Sequence, residues 1–226
     1  MKGVHLRSVI MAAAFGAGAT FSMPAFAGDG SLKDSGPDLA YPLVTVSGVD
    51  VTKNSHEFYT GLFYAFNRDL NRDGFVLRLL GTRGGYDYDW GGVDFDAKYW
   101  QGDVMLGYQW VRNGIDVGVY LGVDFQDHKI KPDDPFNELR GSDTGFKIAG
   151  DIGTNDDNAS PFYFNLNGSY STAFDTYYGL ARVGHKFGRI TLGPEGWLLG
   201  DATGDAQRLG GFVSVGRPVR ERLWGK

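Results

Sequence analysis

Hydrophobic and polar residues alternate without interruption from Ile115 to Gln126. One parity carries only apolar side chains, at Ile115, Val117, Val119, Leu121, Val123 and Phe125. The other parity carries small or polar ones and one tyrosine, at Asp116, Gly118, Tyr120, Gly122, Asp124 and Gln126. A period of two predicts a β-strand with one apolar face. That face contacts either a protein core or lipid.

Similar alternating stretches recur along the chain, separated by Gly, Asn, Asp or Pro, whereas few stretches have helical spacing. They predict an all-β fold, a single antiparallel up-and-down β-barrel of about ten strands (8–12). The predicted strands lie near Val44–Val51, Glu57–Phe66, Phe75–Thr82, Tyr99–Trp110, Ile115–Gln126, Gly145–Gly153, Phe162–Tyr170, Thr176–Phe187, Ile190–Leu199 and Arg208–Val215.

Two hairpins can be placed in register from their turns. Asn113-Gly114 is a strong signal for a two-residue turn, and it puts Leu106 opposite Leu121 on the apolar face. Gly188-Arg189 suits a type II′ turn and puts Arg182 opposite Glu195. Pro194 lacks the N–H that a sheet requires, so it predicts a bulge or a break in the second hairpin.

The first register also places Asp103 directly opposite Asp124, on the polar face. Like charges at facing positions destabilise a sheet, so a cation is expected between them, either Arg78 or Arg182. The sequence therefore predicts a charge network in the barrel lumen that comprises Arg78, Asp103, Asp124, Arg182 and Glu195.

Several features favour lipid as the partner of the apolar face. Trp100, Tyr108 and Trp110 flank Val104 and Leu106, as in the aromatic girdles of outer-membrane barrels. The connections at 83–98 and 127–144 are expected to be long loops at the end opposite the tight turns, which is the habit of such barrels. We therefore expect an outer-membrane location with lipid as partner. The alternative is a soluble barrel, periplasmic or secreted.

The N-terminus predicts export. Residues 1–27 combine a positive start, an apolar stretch and an Ala-Phe-Ala cleavage site, which is typical of a signal peptide. Residues 28–42 are a polar leader, and 43–226 form the barrel domain. Removal of Lys2 and Arg7 with the signal would take the formal net charge from −5 to −7, which gives no support for nucleic-acid binding. The absence of cysteine excludes disulfides and thiolate metal sites.

The residues offer little for catalysis. Three histidines follow the signal, at His56, His128 and His185, and they lie in different segments. Ser55 and His56 are adjacent, so they point to opposite faces of a strand. A lipid-modifying barrel enzyme remains the alternative function, but we expect no catalytic site. No cofactor is expected, and because the Asp-rich segments lack an ordered ligand loop, no metal.

Several segments, taken in order, resemble the cellulose biosynthesis protein BcsS family of Gram-negative bacteria. The segments are "GVDVTKNSHEFYTGLFYAFNRDLNRDGFVLRLLGTRGGYDY", "GYQW", "KPDDPFNELRGSDTGFKIAGD", "YSTAFDTYYGLARVGHKFGRITLGPEGWLLGD" and "RLGGFVS". The resemblance covers Gly48 to Val215 and supplies no catalytic motif. It implies an outer-membrane accessory of the synthesis of bacterial cellulose, which is an exopolysaccharide of biofilms. The chain departs from many outer-membrane barrels because it ends in "RLWGK", with Trp224 third from the end, rather than on an aromatic residue.

The two long connections carry the residues best suited to meet a sugar or a protein partner. Aromatic faces and carboxylates together suit the C–H groups and hydroxyls of a sugar ring. If the cellulose resemblance holds, glucan or components of the export machinery are the expected partners. The candidate ligand-binding residues are Tyr86, Tyr88, Trp90, Asp133, Asp134 and Phe136.

Overall fold

The computed structural model describes residues 42–51, 53–155, 160–188 and 190–215. These residues form ten strands and one short 3-10 helix, Ala173–Asp175. The strands are β1 (Leu43–Val51), β2 (Ser55–Ala65), β3 (Gly74–Trp90), β4 (Val93–Arg112), β5 (Ile115–Lys131), β6 (Gly141–Thr154), β7 (Phe162–Ser171), β8 (Tyr177–Phe187), β9 (Ile190–Asp201) and β10 (Gly204–Val215). The predicted signal peptide, all of the leader except Pro42, and Trp224 lie outside the described residues.

The ten strands form one antiparallel sheet in which each strand pairs with the next along the chain. The predicted strand number and up-and-down topology are therefore confirmed. The sheet does not close, however: it curls through 244° into a half-barrel. In a closed ten-stranded barrel, the sheet turns by about 36° from each strand to the next, whereas the observed curl corresponds to a turn of only about 27° between neighbouring strands.

The first hairpin has the predicted register. Leu106 pairs with Leu121, and Asp103 pairs with Asp124. The turn residues Asn113 and Gly114 have φ values of 52° and 80°, and a type I′ turn requires positive φ at both positions.

The second hairpin also has the predicted register, with Arg182 opposite Glu195. The β8–β9 ladder stops at this pair and resumes at His185 opposite Leu192 without a change of register. Pro194 therefore marks a break in the ladder, and no extra residue is inserted.

The predicted long loop at 83–98 is wrong. Strands β3 and β4 remain paired as far as Trp90 and Val93. They are joined by Gly91 and Gly92, whose φ values are 64° and 79°. The segment is thus a hairpin extension closed by two glycines. Of the other predicted long connection, 132–140 remains a loop, between β5 and β6.

The two faces of the sheet differ sharply in chemistry. Leucine, valine, isoleucine and aromatic side chains are exposed on the convex face, with Leu121 62% exposed and Leu106 51%. The concave face buries charged and amide side chains beside a small apolar cluster of Val76, Met105, Tyr120 and Ala149. Half-barrel curvature therefore places the polar parity inside and the apolar parity outside.

No helix among the described residues is long and apolar enough to cross a membrane.

Candidate functional site

A buried ion cluster occupies the concave face where β4, β5 and β6 run side by side. Lys147 Nζ lies 2.6 Å from Asp103 Oδ2 and 3.7 Å from Asp124 Oδ1. The lysine side chain is 5% exposed, and those of both aspartates are 0%. One ammonium group therefore lies against two facing carboxylates, which offsets the repulsion expected from the register.

Amide side chains complete the surroundings of Asp124. Gln101 Nε2 donates to both carboxylate oxygens at 3.1 Å, and Gln126 Nε2 donates to Oδ2 at 2.8 Å. Gln126 Nε2 also donates to Thr176 Oγ1 at 2.9 Å, which ties the cluster to the start of β8. Asp103 is less well satisfied, because its Oδ1 atom is buried without a hydrogen-bond partner.

The expectation that Arg78 or Arg182 would contact the aspartate pair is wrong, because Lys147 takes that place. The guanidinium of Arg78 lies 5.8 Å from the ring centroid of Phe63 and 5.7 Å from that of Tyr120. Arg182 Nε donates to Glu195 Oε2 at 2.8 Å, as the second hairpin predicted. On the concave face, Lys147 therefore neutralises the aspartate pair and Arg182 pairs with Glu195.

Sequence reasoning missed Lys147 because the β5–β6 connection is too long to fix a register from turn chemistry. The β5–β6 ladder pairs Lys147 with Gly122, one inward position from Asp124. The available signal was parity: Lys147 alternates with the apolar Phe146 and Ile148, so the strand pattern places it on the polar face.

Three of the six candidate ligand residues are engaged in the internal packing of the rim. The ring of Tyr88 stacks on Phe95 at 4.8 Å between centroids, and Tyr86 stacks on Tyr88 at 6.1 Å. Tyr88 Oη donates to Asp134 Oδ2 at 2.8 Å, and Asp134 is 5% exposed. Tyr86, Tyr88 and Asp134 therefore attach the β5–β6 loop to the inner surface of the β3–β4 extension.

The other three candidates remain accessible at the tip of the sheet. Trp90 is 45% exposed and Phe136 is 77% exposed, and their ring centroids lie 5.7 Å apart at an interplanar angle of 53°. The Asp133 side chain is 78% exposed and lies 3.2 Å from Arg140 Nη1. We call Trp90 and Phe136 the rim pair. Asp133 is the exposed carboxylate in the loop that carries Phe136.

The two edge strands of the half-barrel make contact through side chains. Arg208 Nη1 on β10 lies 2.8 Å from Asp50 Oδ2 on β1, and both side chains are about one-fifth exposed. The described parts of β1 and β10 form no backbone ladder with each other. This ion pair thus joins the first strand to the last across the open side.

The histidines are dispersed. His56 lies on β2 and His185 on β8, whereas His128 on β5 faces inward and stacks on Tyr99 at 5.3 Å. Within the described ranges, no group of three or more His, Asp or Glu is placed to hold a metal ion.

Comparison with protein families supplies the context for this geometry. The family model described as cellulose biosynthesis protein BcsS matches residues 44–220. The chain belongs to this family. No curated protein and no solved structure matches it significantly. The BcsS match extends over parts of all ten strands, so the ion cluster, the rim pair and the edge-strand ion pair all lie in the region that the family shares.

Proposed function

We propose that this BcsS protein is a non-enzymatic outer-membrane accessory of bacterial cellulose biosynthesis or export. The observation that carries the proposal is the distribution of side chains between the two faces of the sheet. Exposed leucine, valine and aromatic residues cover the convex face, and buried ions and amides occupy the concave face. A transmembrane barrel alternates in this sense, with apolar residues outward and polar residues inward.

A soluble half-barrel fits these observations poorly. A protein in water rarely leaves a contiguous apolar patch of more than a few hundred Å² uncovered. Here the exposed apolar residues extend over neighbouring strands, including Leu106, Val119, Leu121 and Ile148. A lipid environment removes the cost of this exposure, since lipid chains are as apolar as the side chains themselves.

The proposal includes closure of the sheet in the membrane by pairing of β1 with β10. Unpaired strand edges do not occur in the hydrocarbon region, where no water satisfies the backbone. A ten-stranded up-and-down sheet makes β1 and β10 antiparallel, and the Asp50–Arg208 ion pair suggests their register. With Asp50 opposite Arg208, Val49 faces Leu209 and Thr45 faces Val213 on the outside, which continues the convex face.

This register also satisfies barrel geometry. When this register is followed from strand to strand around the sheet, one full circuit returns to β1 at a position displaced by about ten residues. With ordinary strand dimensions, this displacement tilts the strands by about 35° from the barrel axis. Transmembrane barrels have tilts of about 35–45°.

The role that we propose is contact at the rim rather than conduction of the polymer. Inward side chains such as Met105, Tyr120 and Lys147 are buried, so the concave side is filled. The rim pair, Trp90 and Phe136, offers two exposed rings, and the loop that carries Phe136 adds the exposed carboxylate of Asp133. This combination suits glucan or an exposed segment of the export machinery.

Cell fractionation tests the proposal directly. The mature protein should be recovered with outer membranes and should migrate faster on gels when unboiled, because a closed barrel resists detergent. Deletion of the gene should reduce the cellulose exported. Quantitative recovery from the soluble periplasm would contradict the membrane assignment, and unchanged cellulose output would contradict the role.

A further inference from the structure

A row of exposed cations borders the apolar convex face at the end of the sheet that carries the β5–β6 loop. Lys98 on β4 and Lys129 on β5 are direct cross-strand partners. Their side chains are 72% and 77% exposed. Since facing like charges destabilise a sheet, the pair calls for an anion between or above the two ammonium groups.

The protein's own carboxylates satisfy these lysines only in part. Lys98 Nζ lies 3.8 Å from Asp96 Oδ1, and Lys129 Nζ lies 3.8 Å from Asp127 Oδ1. Charge-assisted hydrogen bonds from nitrogen to oxygen are about 2.7–2.9 Å long. Both contacts are therefore loose ion pairs, and the ammonium N–H groups remain available to an external acceptor.

Three more cations lie beside the lysine pair. Arg83 on β3 is the cross-strand partner of Trp100, and Lys131 lies two residues beyond Lys129 on the same face. Neither Arg83 nor Lys131 forms an ion pair within 4.0 Å among the described residues, although Asp96 is the cross-strand partner of Lys131. Lys129, Lys131 and Arg140 line a cleft of about 460 Å³, in which Asp133 is the single carboxylate. We call Arg83, Lys98, Lys129, Lys131 and Arg140 the cationic rim.

The position of the cationic rim identifies its ligand. Lys98 lies two residues, about 7 Å along the strand, beyond Trp100, which is 50% exposed on the same face. Aromatic residues mark the headgroup level of a membrane protein. In the proposed membrane location, a cation one step further from the apolar band lies level with lipid phosphates.

We infer that the cationic rim binds the phosphate groups of membrane lipids, with Lys98 and Lys129 sharing one phosphate and the Lys131–Arg140 cleft taking a neighbouring one. The inference rests on the proposed membrane location. It adds a ligand class, a phosphorylated lipid, to a surface that adjoins the glucan-facing residues at Asp133, which lies 3.2 Å from Arg140. Bound phosphate would also relieve the repulsion between the two facing lysines.

Titration of the full-length mature protein, refolded in uncharged detergent micelles, tests the inference. The probes are diphosphoryl lipid A, its dephosphorylated form and inorganic phosphate. Wild type should bind the phosphorylated lipid in preference to the other two. Each basic residue near a charged membrane surface contributes about a fivefold gain in binding, so Lys98→Gln with Lys129→Gln should weaken binding roughly thirty-fold. The control, Arg68→Gln with Arg72→Gln, removes two charges outside the cationic rim and should leave the affinity unchanged.

The outcomes separate this inference from the proposed function. Equal binding of the phosphorylated and dephosphorylated lipids, or equal losses in both double variants, would overturn the lipid-phosphate site while leaving the outer-membrane location intact. Binding of inorganic phosphate as tightly as the lipid would make it a free-anion site and would overturn the lipid assignment. Failure of the protein to enter outer membranes in cells would instead remove the proposed function.

Discussion

Lys147 Nζ lies 2.6 Å from Asp103 Oδ2 on the concave face, where both side chains are buried. The same ammonium group is 3.7 Å from Asp124, so one lysine holds two facing aspartates on neighbouring strands. Removal of one partner from a buried ion pair leaves an uncompensated charge, which typically costs about 3–5 kcal/mol. The relationship therefore makes Lys147 a critical residue for the stability of the sheet.

The first prediction concerns this ion cluster. Lys147→Met should lower the free energy of unfolding by about 3–5 kcal/mol, because two buried carboxylates lose their cation. In a double-mutant cycle measured by urea titration of the refolded protein, Lys147→Met should couple with Asp103→Asn by about 0.5–3 kcal/mol. Arg78→Met is the matched control and should show little coupling with Asp103→Asn. Strong coupling to Arg78 and none to Lys147 would contradict the observed pairing.

The residues around this cluster show what the sequence could and could not predict. The Asp103–Asp124 register followed from Asn113-Gly114, since a two-residue turn fixes every pair in its hairpin. The third strand of the cluster is joined by a nine-residue loop, 132–140, which fixes no register. Tertiary pairing alone places Lys147 beside the aspartates, so neither composition nor spacing could identify it as the cation.

The β3–β4 extension was missed for a different reason. Its sequence, "YDYDWGGVDFD", has four aspartates, which are depleted in strands, so it resembled a loop. The pattern nevertheless contained the answer: Tyr86, Tyr88 and Trp90 alternate with aspartates on one side of Gly91-Gly92, and Val93 and Phe95 do so on the other. Twin glycines between two alternating runs are a hairpin signal.

The curl of the sheet, 244°, had no such signal in the sequence, because it depends on the summed twist of all ten strands.

The second prediction concerns the convex face. Leu121→Arg should destabilise the protein in lipid by about 2–4 kcal/mol, because its side chain would enter the hydrocarbon region. Thr144→Arg, on the same face but nearer the rim, should cost only about 0–1 kcal/mol. Unfolding in lipid vesicles measures both values. Similar costs for the two variants would contradict lipid contact.

The third prediction concerns closure. If β1 pairs with β10 in the register of Asp50 opposite Arg208, Val49 and Leu209 face each other with Cα atoms about 4.5–5.5 Å apart. This separation lies within the range for a disulfide. The cysteine-free chain makes the test clean. Val49→Cys with Leu209→Cys should crosslink efficiently in isolated outer membranes, as measured by a gel shift that a reductant reverses.

The control for closure is the out-of-register pair Val49→Cys with Val213→Cys. Its two positions are four residues apart in the proposed ladder, so they should not crosslink. Equal crosslinking of both pairs would indicate loose edges, and crosslinking of neither would mean that the sheet stays open in the membrane.

The fourth prediction concerns pH and the turn between β2 and β3. The Arg112 guanidinium donates to Asp73, and Val111 N–H donates to Asp73 Oδ1 at 2.9 Å, which together hold the pKa of Asp73 below its ordinary value of 3.8. A carboxyl group whose pKa is lower in the folded state than in the unfolded state stabilises the folded protein. This stabilisation is complete when the pH is above the unfolded-state pKa, and it is lost as the pH falls through the folded-state pKa. Asp73→Asn should therefore be less stable than wild type at neutral pH, and the difference should shrink below about pH 4. Urea titrations in micelles across that range measure it. A difference that stays constant with pH would exclude this ion pair as its cause.

The last prediction concerns the rim pair and separates direct glucan contact from action through a protein partner. Phe136 is 77% exposed and Trp90 is 45% exposed, so their rings are open to a sugar, whereas Tyr86, Tyr88 and Asp134 are engaged in rim packing. In a titration with cello-oligosaccharide, the refolded protein should bind weakly, and Trp90→Ala with Phe136→Ala should lose that binding while migrating on gels as wild type does. Phe162→Ala with Phe187→Ala, which removes two exposed rings distant from the rim, is the control and should bind as wild type does. Absence of wild-type binding at millimolar oligosaccharide would contradict direct contact. Cellulose output that still falls in the Trp90–Phe136 variant would then assign the two rings to recognition of a protein of the export machinery, because the same exposed aromatic surface suits an apolar protein segment.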